Sequence, residues 1–266
     1  MGWRMLGVQA QRRVGSGFER ILQGGVLVLL VAGSTGCASI IEHQRNVAEQ
    51  RNTTSLERKL WESESFLRYH PDIKHRKLGF WYQQQGDVAA SLAAFEQAAR
   101  HADKPSQAVL AEAYFSGDQV PRDRPRAYAW MDLAAERGYP LFVSKREAYW
   151  AAMNEAERQQ ALELGAQLYA EFGDEAAKPR MERALRIGRM GMTGSRVASP
   201  ANLQVLVPMD GTWVSLPGTI YYSNHFWRPR EYFEWFDSLH AAPPHGVVEV
   251  GPIAPQSPAA GARPPG

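Results

Sequence analysis

Residues 117–138 read GDQVPRDRPRAYAWMDLAAERG, and they carry the clearest structural pattern in the chain. The first part of this stretch is polar and contains glycine and proline, as a loop between two helices does. Its second part places apolar and small side chains at helical spacing, at Ala127, Trp130, Ala134 and Ala135. Gly138 suits a left-handed C-cap, and residues 106–116 before the loop carry another apolar stripe. The stretch therefore predicts two helices joined by a loop.

The loop and second helix of this stretch resemble the Sel-one-like repeat, a longer-looped relative of the tetratricopeptide repeat. In that family the loop typically reads Gly-x-x-Val-x-x-Asp, and Gly117, Val120 and Asp123 occupy those positions here. The preceding residues resemble a tetratricopeptide repeat through the relative spacing of Gly79, Tyr82, Phe95 and Ala98. Ser91 stands where that family usually has alanine. Together the two resemblances cover residues 73–140.

Helical periodicity continues after the repeats and then gives way to a different composition. Residues 142–153 and 155–171 predict a third helical pair. Asn154 and Glu157 form a capping-box pattern at the start of its second helix. The remaining chain predicts a helix that ends near Gly188, strands over 203–207, 213–216 and 220–222, and a helix over 229–239. The predicted fold class is mainly α, with a short α-solenoid of tetratricopeptide/Sel-one-like helix pairs followed by a small α+β C-terminal module.

The N-terminal residues have the pattern of a secretion signal. Four arginines precede an apolar run at residues 26–32, which is too short for the bilayer-spanning helix of about 20 residues. Cys37 is the one cysteine of the 266 residues, and it follows Ser-Thr-Gly at residues 34–36. This ending resembles the lipobox of bacterial lipoproteins, in which the cysteine is acylated and becomes the first mature residue, although Ser34 departs from the preferred leucine. The alternative is ordinary cleavage near Ala32 with a free thiol at Cys37.

These patterns divide the chain into five segments. They are a lipoprotein signal peptide (residues 1–36), a tether (37–55), a helical-repeat domain (56–173), an arginine- and tryptophan-rich small α+β module (174–240) and a disordered tail rich in proline, glycine and alanine (241–266). The lipoprotein resemblance implies export and a lipid anchor in a membrane. By the sorting rules of such lipoproteins, Ala38 after the cysteine favours the outer membrane, with the protein facing the periplasm.

Composition and motifs exclude several classes of function. The net charge of +2 reflects the N-terminal arginines, so the rest of the chain is near neutral and no nucleic-acid partner is predicted. With one cysteine and no His-x-x-x-His pattern, no metal site and no cofactor are predicted. Gly188, Gly191 and Gly194 follow a predicted helix, so they indicate a hinge rather than a dinucleotide fingerprint. Ser195 has no sequence cue to a base, and no enzymatic activity is predicted.

Two surfaces of the C-terminal module have alternative interpretations. Arg183, Arg186 and Arg189 recur every three residues, so they lie along one side of the predicted helix. That side is either solvated or paired with nearby acids, or it contacts anionic lipid, glycan or a partner. The nearby acids are Glu163, Glu171, Asp174 and Glu175. The aromatic residues within 226–236 either cap the small sheet or form an exposed hot spot for a partner.

Stacked helix pairs form a solenoid with a concave face, and proteins that resemble this family mostly act as adaptors. The resemblance places partner-binding side chains on the first helix of each pair, at Arg76, Phe80, Gln83, Gln84, Glu112 and Phe115. A purely structural role for these side chains is the alternative. The predicted function is that of an envelope lipoprotein adaptor for an envelope protein or peptide. A peptidoglycan- or anionic-lipid-binding factor, an unrecognised envelope enzyme and a structural component of an assembly remain alternatives.

Overall fold

The computed structural model describes residues 55–190, 203–209 and 211–241. Its helices before the sheet are α1 (Ser55–Glu62), α2 (Glu64–Leu67), α3 (Pro71–Gln84), α4 (Val88–Ala99), α5 (Lys104–Ser116), α6 (Arg124–Ala135), α7 (Pro140–Ala151), α8 (Glu155–Phe172) and α9 (Asp174–Met190). A β-hairpin and short helices follow, β1 (Gln204–Met209), β2 (Thr212–Pro217), α10 (Gly218–Tyr221), α11 (Asn224–Trp227) and α12 (Pro229–Ser238). The predictions for the signal peptide, Cys37, Gly191, Gly194, Ser195 and the tail beyond residue 241 lie outside the described residues.

Aspartates fix the starts of the repeat helices. The carboxylates of Asp87, Asp103 and Asp123 each accept a hydrogen bond of 3.0 Å from the backbone N–H three residues on. Each bond satisfies a donor that helix geometry leaves free, so α4, α5 and α6 begin at these positions. Gly117 ends α5 with a left-handed φ of 73°, and a Cβ there would lie 2.8 Å from the Arg122 Cβ. The first loop position therefore requires glycine.

The two predicted repeat pairs are present as helical hairpins. Helix α3 packs against α4, α5 packs against α6, and α4, α5 and α6 contribute to one hydrophobic core. Gly79 lets α4 approach closely, because a Cβ on it would lie 2.7 Å from the Phe95 ring. Ser91 donates its hydroxyl to the Gly79 carbonyl oxygen at 2.9 Å, which gives the serine a role that the family's alanine lacks. The helical-hairpin part of the predicted fold class is confirmed.

The third helical pair has a different packing arrangement from the first two. Helices α7 and α8 form where the sequence predicts them, and both pack against α6. Asn154 and Glu157 form the predicted capping box, with reciprocal hydrogen bonds of 2.9 and 2.8 Å. Phe142 of α7 and Phe172 at the end of α8 are buried in the core of the repeats. Helix α6 is therefore the central element of the helical domain.

The C-terminal hairpin forms as predicted, but the third strand does not. Strands β1 and β2 are antiparallel, with Val205 opposite Leu216. Residues 220–222 were predicted as a strand, and this prediction is wrong because helix α10 covers residues 218–221. The Gly218 N–H donates to the Leu203 carbonyl oxygen at 2.8 Å, which closes the end of the hairpin. The helical turn then buries Tyr221 instead of extending the sheet.

Helix α9 continues to Met190, two residues beyond its predicted end at Gly188. Residue 188 lies within the helix, and it is glycine because a larger residue does not fit there. A Cβ on it would overlap the rings of Trp227 and Tyr69. This glycine is therefore a packing residue of α9 and not a helix stop.

Residues that precede the repeats in the sequence and residues that follow them together form a second hydrophobic core. Leu60 and Phe66, from α1 and α2, are fully buried with Val207 and Leu216 of the hairpin and Trp227 of α11. The predicted boundary at residue 174 remains a prediction, but the segment before the repeats and the segment after them share side-chain packing. The described chain is mainly helical with one small antiparallel sheet, which confirms the fold class.

Candidate interaction surfaces

The predicted partner-binding residues of α5 contact α7. The Phe115 ring stacks on Tyr149, with centroids 3.8 Å apart and planes 2° apart. The Glu112 carboxylate accepts hydrogen bonds from the Tyr149 hydroxyl at 2.6 Å and from Lys145 Nζ at 2.5 Å. Glu112 is 1% exposed, so its carboxylate is not accessible to an external partner. The structure thus brings Glu112 and Phe115 together, with Phe115 half-buried and Glu112 enclosed.

The predicted residues of α3 divide into two groups. Arg76 donates to Asp103 at 2.7 Å and lies over the Phe236 ring, so it joins α3 to α5 and α12. Phe80 packs edge-on against Phe95 and is half-buried. Gln83 and Gln84 end the helix, the first half-buried and the second exposed. The accessible part of the predicted face is therefore its end, where Gln83 and Gln84 lie, with Phe80 and Phe115 partly accessible.

A charged network between the repeats and the C-terminal segment was not predicted. Lys104 Nζ is fully buried and donates to Glu136 at 2.5 Å and to the Leu133 carbonyl oxygen at 2.9 Å. Asp174 lies 3.1 Å from the same amine. Arg137 donates to Asp174 at 2.8 Å and to Asp237 at 3.1 Å. These partners are far apart in sequence, so no local motif indicates them.

The Asp174 carboxylate is held ionised by this network. Burial opposes the charge, but hydrogen bonds and attraction from Arg137, with help from Lys104 and Lys178, lower the pKa of Asp174 far below its ordinary value. The alternative that Asp174 pairs with the arginines at positions 183–189 is not realised among the described residues. Glu171 likewise pairs with Arg100. Glu171 and Asp174 therefore pair with cations other than the arginines at positions 183–189.

The buried ionisable groups near the second core are closed to solvent. The ring nitrogens of His70 lie 2.9 Å from the Phe66 carbonyl oxygen and 2.8 Å from that of Phe226. Burial lowers the pKa of His70 to about 4, although contact with the two carbonyl oxygens favours the charged form. The ring is therefore neutral near pH 7, and its single N–H donates to one of the two oxygens. Burial also raises the pKa of Asp72, whose carboxylate accepts a hydrogen bond from Tyr232. Among the described residues, His70, Asp72 and Tyr232 are each at most 2% exposed, so their arrangement is that of a packed interior.

The arginines of α9 lie on its exposed side. Arg183, Arg186 and Arg189 are all exposed, and Arg186 pairs with Glu182 at 3.3 Å. Beside them is a cavity of about 430 Å³, lined by His101, Pro179, Arg180, Arg183, Ala184 and Ile187. Ile187 and Met190 are 53% and 80% exposed. The end of α9 therefore combines positive charge with accessible apolar surface.

Two further surfaces lie elsewhere in the described chain. A cavity of about 590 Å³ at the loop between α5 and α6 contains several arginines, but Arg124 and Arg126 lie next to Glu157 and Asp123. On the outward side of the hairpin, Leu206 and Trp213 are 61% and 70% exposed. The aromatic residues that follow the hairpin lie inside the protein, with Phe226 and Trp227 beneath the sheet and Phe233 against α9.

Neither a metal cluster nor a spanning helix is found in the described ranges. No group of three or more His, Cys, Asp or Glu side chains is arranged to hold a metal ion among residues 55–190, 203–209 and 211–241. Within the same ranges, each helix is too short or too polar to cross a bilayer.

Comparison with protein-family models and with curated proteins finds no match to this chain. Among solved structures, the chain is similar to a protective antigen present in uropathogenic Escherichia coli strains, described as displaying an SLR fold. The identity is 22%, the TM-score is 0.37 and the match covers 60% of this chain. It spans 37% of the antigen's chain, which is well under half of that protein.

Proposed function

We propose that this chain is an envelope lipoprotein that acts as a protein–protein interaction adaptor through its helical repeats. The observation that carries the proposal is the pair of helical hairpins, α3–α4 and α5–α6, packed side by side. Each first helix has a half-buried aromatic ring near its end, Phe80 and Phe115, and Gln83 and Gln84 supply polar groups beside the first. Aromatic rings next to polar groups are typical of binding surfaces between proteins.

A binding role fits the described side chains better than a catalytic one. Asp72 and Tyr232 contact each other and both have raised pKa values. Both are buried among other side chains and do not line a cleft. Glu112, with its carboxylate held by Lys145 and Tyr149, stabilises the contact between α5 and α7. These contacts leave the solvent-facing ends of the first helices as the surface for an envelope protein or peptide.

The adaptor proposal is tested by crosslinking in cells, purification of the tagged full-length chain and mass spectrometry. The test variant is Gln83→Arg with Gln84→Arg, which adds two charges at the end of α3. The matched control is Gln159→Arg with Gln160→Arg, two adjacent exposed glutamines on α8. One or a few proteins should be recovered with the wild type and the control but lost with the α3 variant. The same set from all three proteins, or no specific set, contradicts the adaptor proposal.

The lipid anchor at Cys37 and the location in the outer membrane form the second part of the proposal. Labelling with a clickable fatty acid should mark the wild-type chain and not Cys37→Ala, because the thiol is the acceptor of the lipid. Membrane fractionation should place the labelled protein in the outer membrane, facing the periplasm. Equal labelling of Cys37→Ala contradicts the anchor, and it leaves the crosslinking result unaffected.

A further inference from the structure

We propose that the outward side of α9 is a binding surface for an anionic lipid bilayer. This surface, the α9 patch, consists of Arg183, Arg186, Ile187, Arg189 and Met190. The proposal goes beyond the adaptor function and does not require the lipid anchor, because it rests on side chains of the folded domain.

The two sides of α9 have opposite environments. Its buried residues are spaced three or four positions apart and face the core, at Ala177, Met181, Leu185 and Gly188. Arg183, Ile187 and Met190 follow the same helical spacing but lie on the opposite side, because a helix turns once in 3.6 residues. All three are exposed. The α9 patch therefore points away from the protein.

The cations of the α9 patch are available to an external anion. No ion pair joins Arg183 or Arg189 to an acid within the described part of the chain. Arg186 pairs with Glu182, but the two side chains are 54% and 34% exposed, and such a pair is weak in water. Arg180, one turn earlier, donates instead to the Glu171 carbonyl oxygen at 2.6 Å. The available positive charge thus lies in the last turns of α9.

The exposed apolar side chains of the α9 patch indicate which class of anionic ligand it binds. A bilayer surface accommodates both the arginines and the apolar side chains. The arginines contact lipid phosphates, and Ile187 and Met190 become buried where the headgroups meet the acyl chains. A small phosphate ion accounts for the arginines alone. An acidic protein surface would contact the arginines, but it offers no apolar layer for Ile187 and Met190. An anionic bilayer is the occupant that fits the charge and the apolar side chains together.

Vesicle cosedimentation tests the proposal with the chain from Ala38 onward, so that neither an acyl chain nor the arginine-rich N-terminal segment contributes. The protein should bind vesicles of phosphatidylcholine mixed with phosphatidylglycerol, bind phosphatidylcholine alone much more weakly, and dissociate as salt increases. Replacing Arg183 and Arg189 by Gln should weaken binding about 25-fold, since each arginine near an anionic surface contributes about fivefold. The matched control is Arg126→Gln with Arg230→Gln, which removes two exposed arginines on α6 and α12 and should change binding less than about twofold.

A second pair of variants tests the apolar component. Ile187→Gln should weaken vesicle binding, whereas Leu162→Gln, on α8 and with a similar exposure of 55%, should not. Equal losses from both arginine pairs would mean that total charge and not the α9 patch controls binding, and would overturn the proposal. Equal binding to neutral vesicles, or retention by an acidic protein column without any vesicle binding, would also overturn it. None of these results bears on the Gln83 and Gln84 crosslinking test.

Discussion

The Tyr232 hydroxyl donates a hydrogen bond to the Asp72 carboxylate, although the two residues are 160 positions apart in the sequence. Tyr232 belongs to α12 and Asp72 to the first turn of α3, so the bond joins the last described helix to the first repeat. Asp72 is 2% exposed and Tyr232 is fully buried. The other carboxylate oxygen, Oδ1, has no hydrogen-bond partner within the described residues. The tyrosine is therefore a principal hydrogen-bond donor to a buried carboxyl group.

Tyr232→Phe should lower the free energy of unfolding by about 2 kcal/mol, because it leaves a buried carboxylate short of a hydrogen-bond donor. Urea unfolding of both proteins at neutral pH measures the change. Tyr169→Phe is the matched control, since Tyr169 also donates to a carboxylate, that of Glu136, but is 43% exposed. Water can replace that donor, so the control should lose well under about 1 kcal/mol. Equal losses would show that enclosure of Asp72 is not the cause.

Acid should destabilise the protein through His70. The pKa of His70 is about 4 in the folded protein, below the ordinary value of 6.5, so the unfolded chain takes up the proton first. Stability from the neutral ring is complete above pH 6.5 and is lost as pH falls toward 4. Between pH 7.5 and pH 5 this contribution falls by about 2 kcal/mol.

Urea unfolding of wild type and His70→Gln at both pH values isolates this contribution from that of the carboxylates. The stability difference between the two proteins should shrink by about 2 kcal/mol at the lower pH, because the variant has no imidazole to protonate. A difference that stays constant with pH would contradict a neutral buried His70.

Lys104→Met should destabilise the protein by about 3 kcal/mol, because Glu136 and Asp174 would remain in a largely buried site without one of their cations. Arg137 and Lys178 still contact Asp174 and limit the loss. The control Arg126→Met removes an arginine that is 46% exposed and pairs with Asp123, and should cost less than about 1 kcal/mol. Thermal or urea unfolding compares the two, and similar losses would contradict a special role for the buried amine.

Gly79→Ala and Gly165→Ala should have opposite effects on stability. A methyl group at residue 79 would lie 2.7 Å from the Phe95 ring, so overpacking should cost about 1–3 kcal/mol. Nothing lies within 4 Å of the corresponding position at Gly165, in the interior of α8. Alanine there should stabilise the protein by roughly 0.5–1 kcal/mol, because glycine is a poor helix former. Melting temperatures that move in the same direction would contradict the packing argument.

Local signals in the sequence predicted the helices and the hairpin well. The glycine at residue 117 and the capping box of Asn154 and Glu157 act within a few residues of their own positions, so the sequence pattern predicts them. The strand predicted at 220–222 failed because the tyrosines there resemble a strand locally, while burial of Tyr221 against Phe66 favours a helical turn. Gly188 was read as a helix stop because nothing local indicates that Trp227 packs on it.

The candidate site was less predictable than the fold. The repeat resemblance placed partner-binding side chains on the first helices, but it gave no information on which of them neighbouring helices would bury. Residues 104–113 of α5 are all buried. Arg76 is held by Asp103 and Phe236, and Glu112 by Lys145 and Tyr149, through contacts between separate helices. The exposed arginines of α9 were recognisable from their spacing. Their apolar neighbours Ile187 and Met190 became part of a surface only when the buried side of the helix was known.

The core shared by α1, α2 and the β-hairpin cannot form until the C-terminal part of the chain has been synthesised. Phe66 emerges from the ribosome long before Val207 and Leu216, its partners in that core. Helices α3–α8 make mostly near-neighbour contacts and can form as soon as they are made, whereas the shared core needs a long loop to close. We expect chains truncated before β1 to contain folded repeats with an uncovered apolar surface on α1 and α2, which is the form that chaperones and proteases recognise.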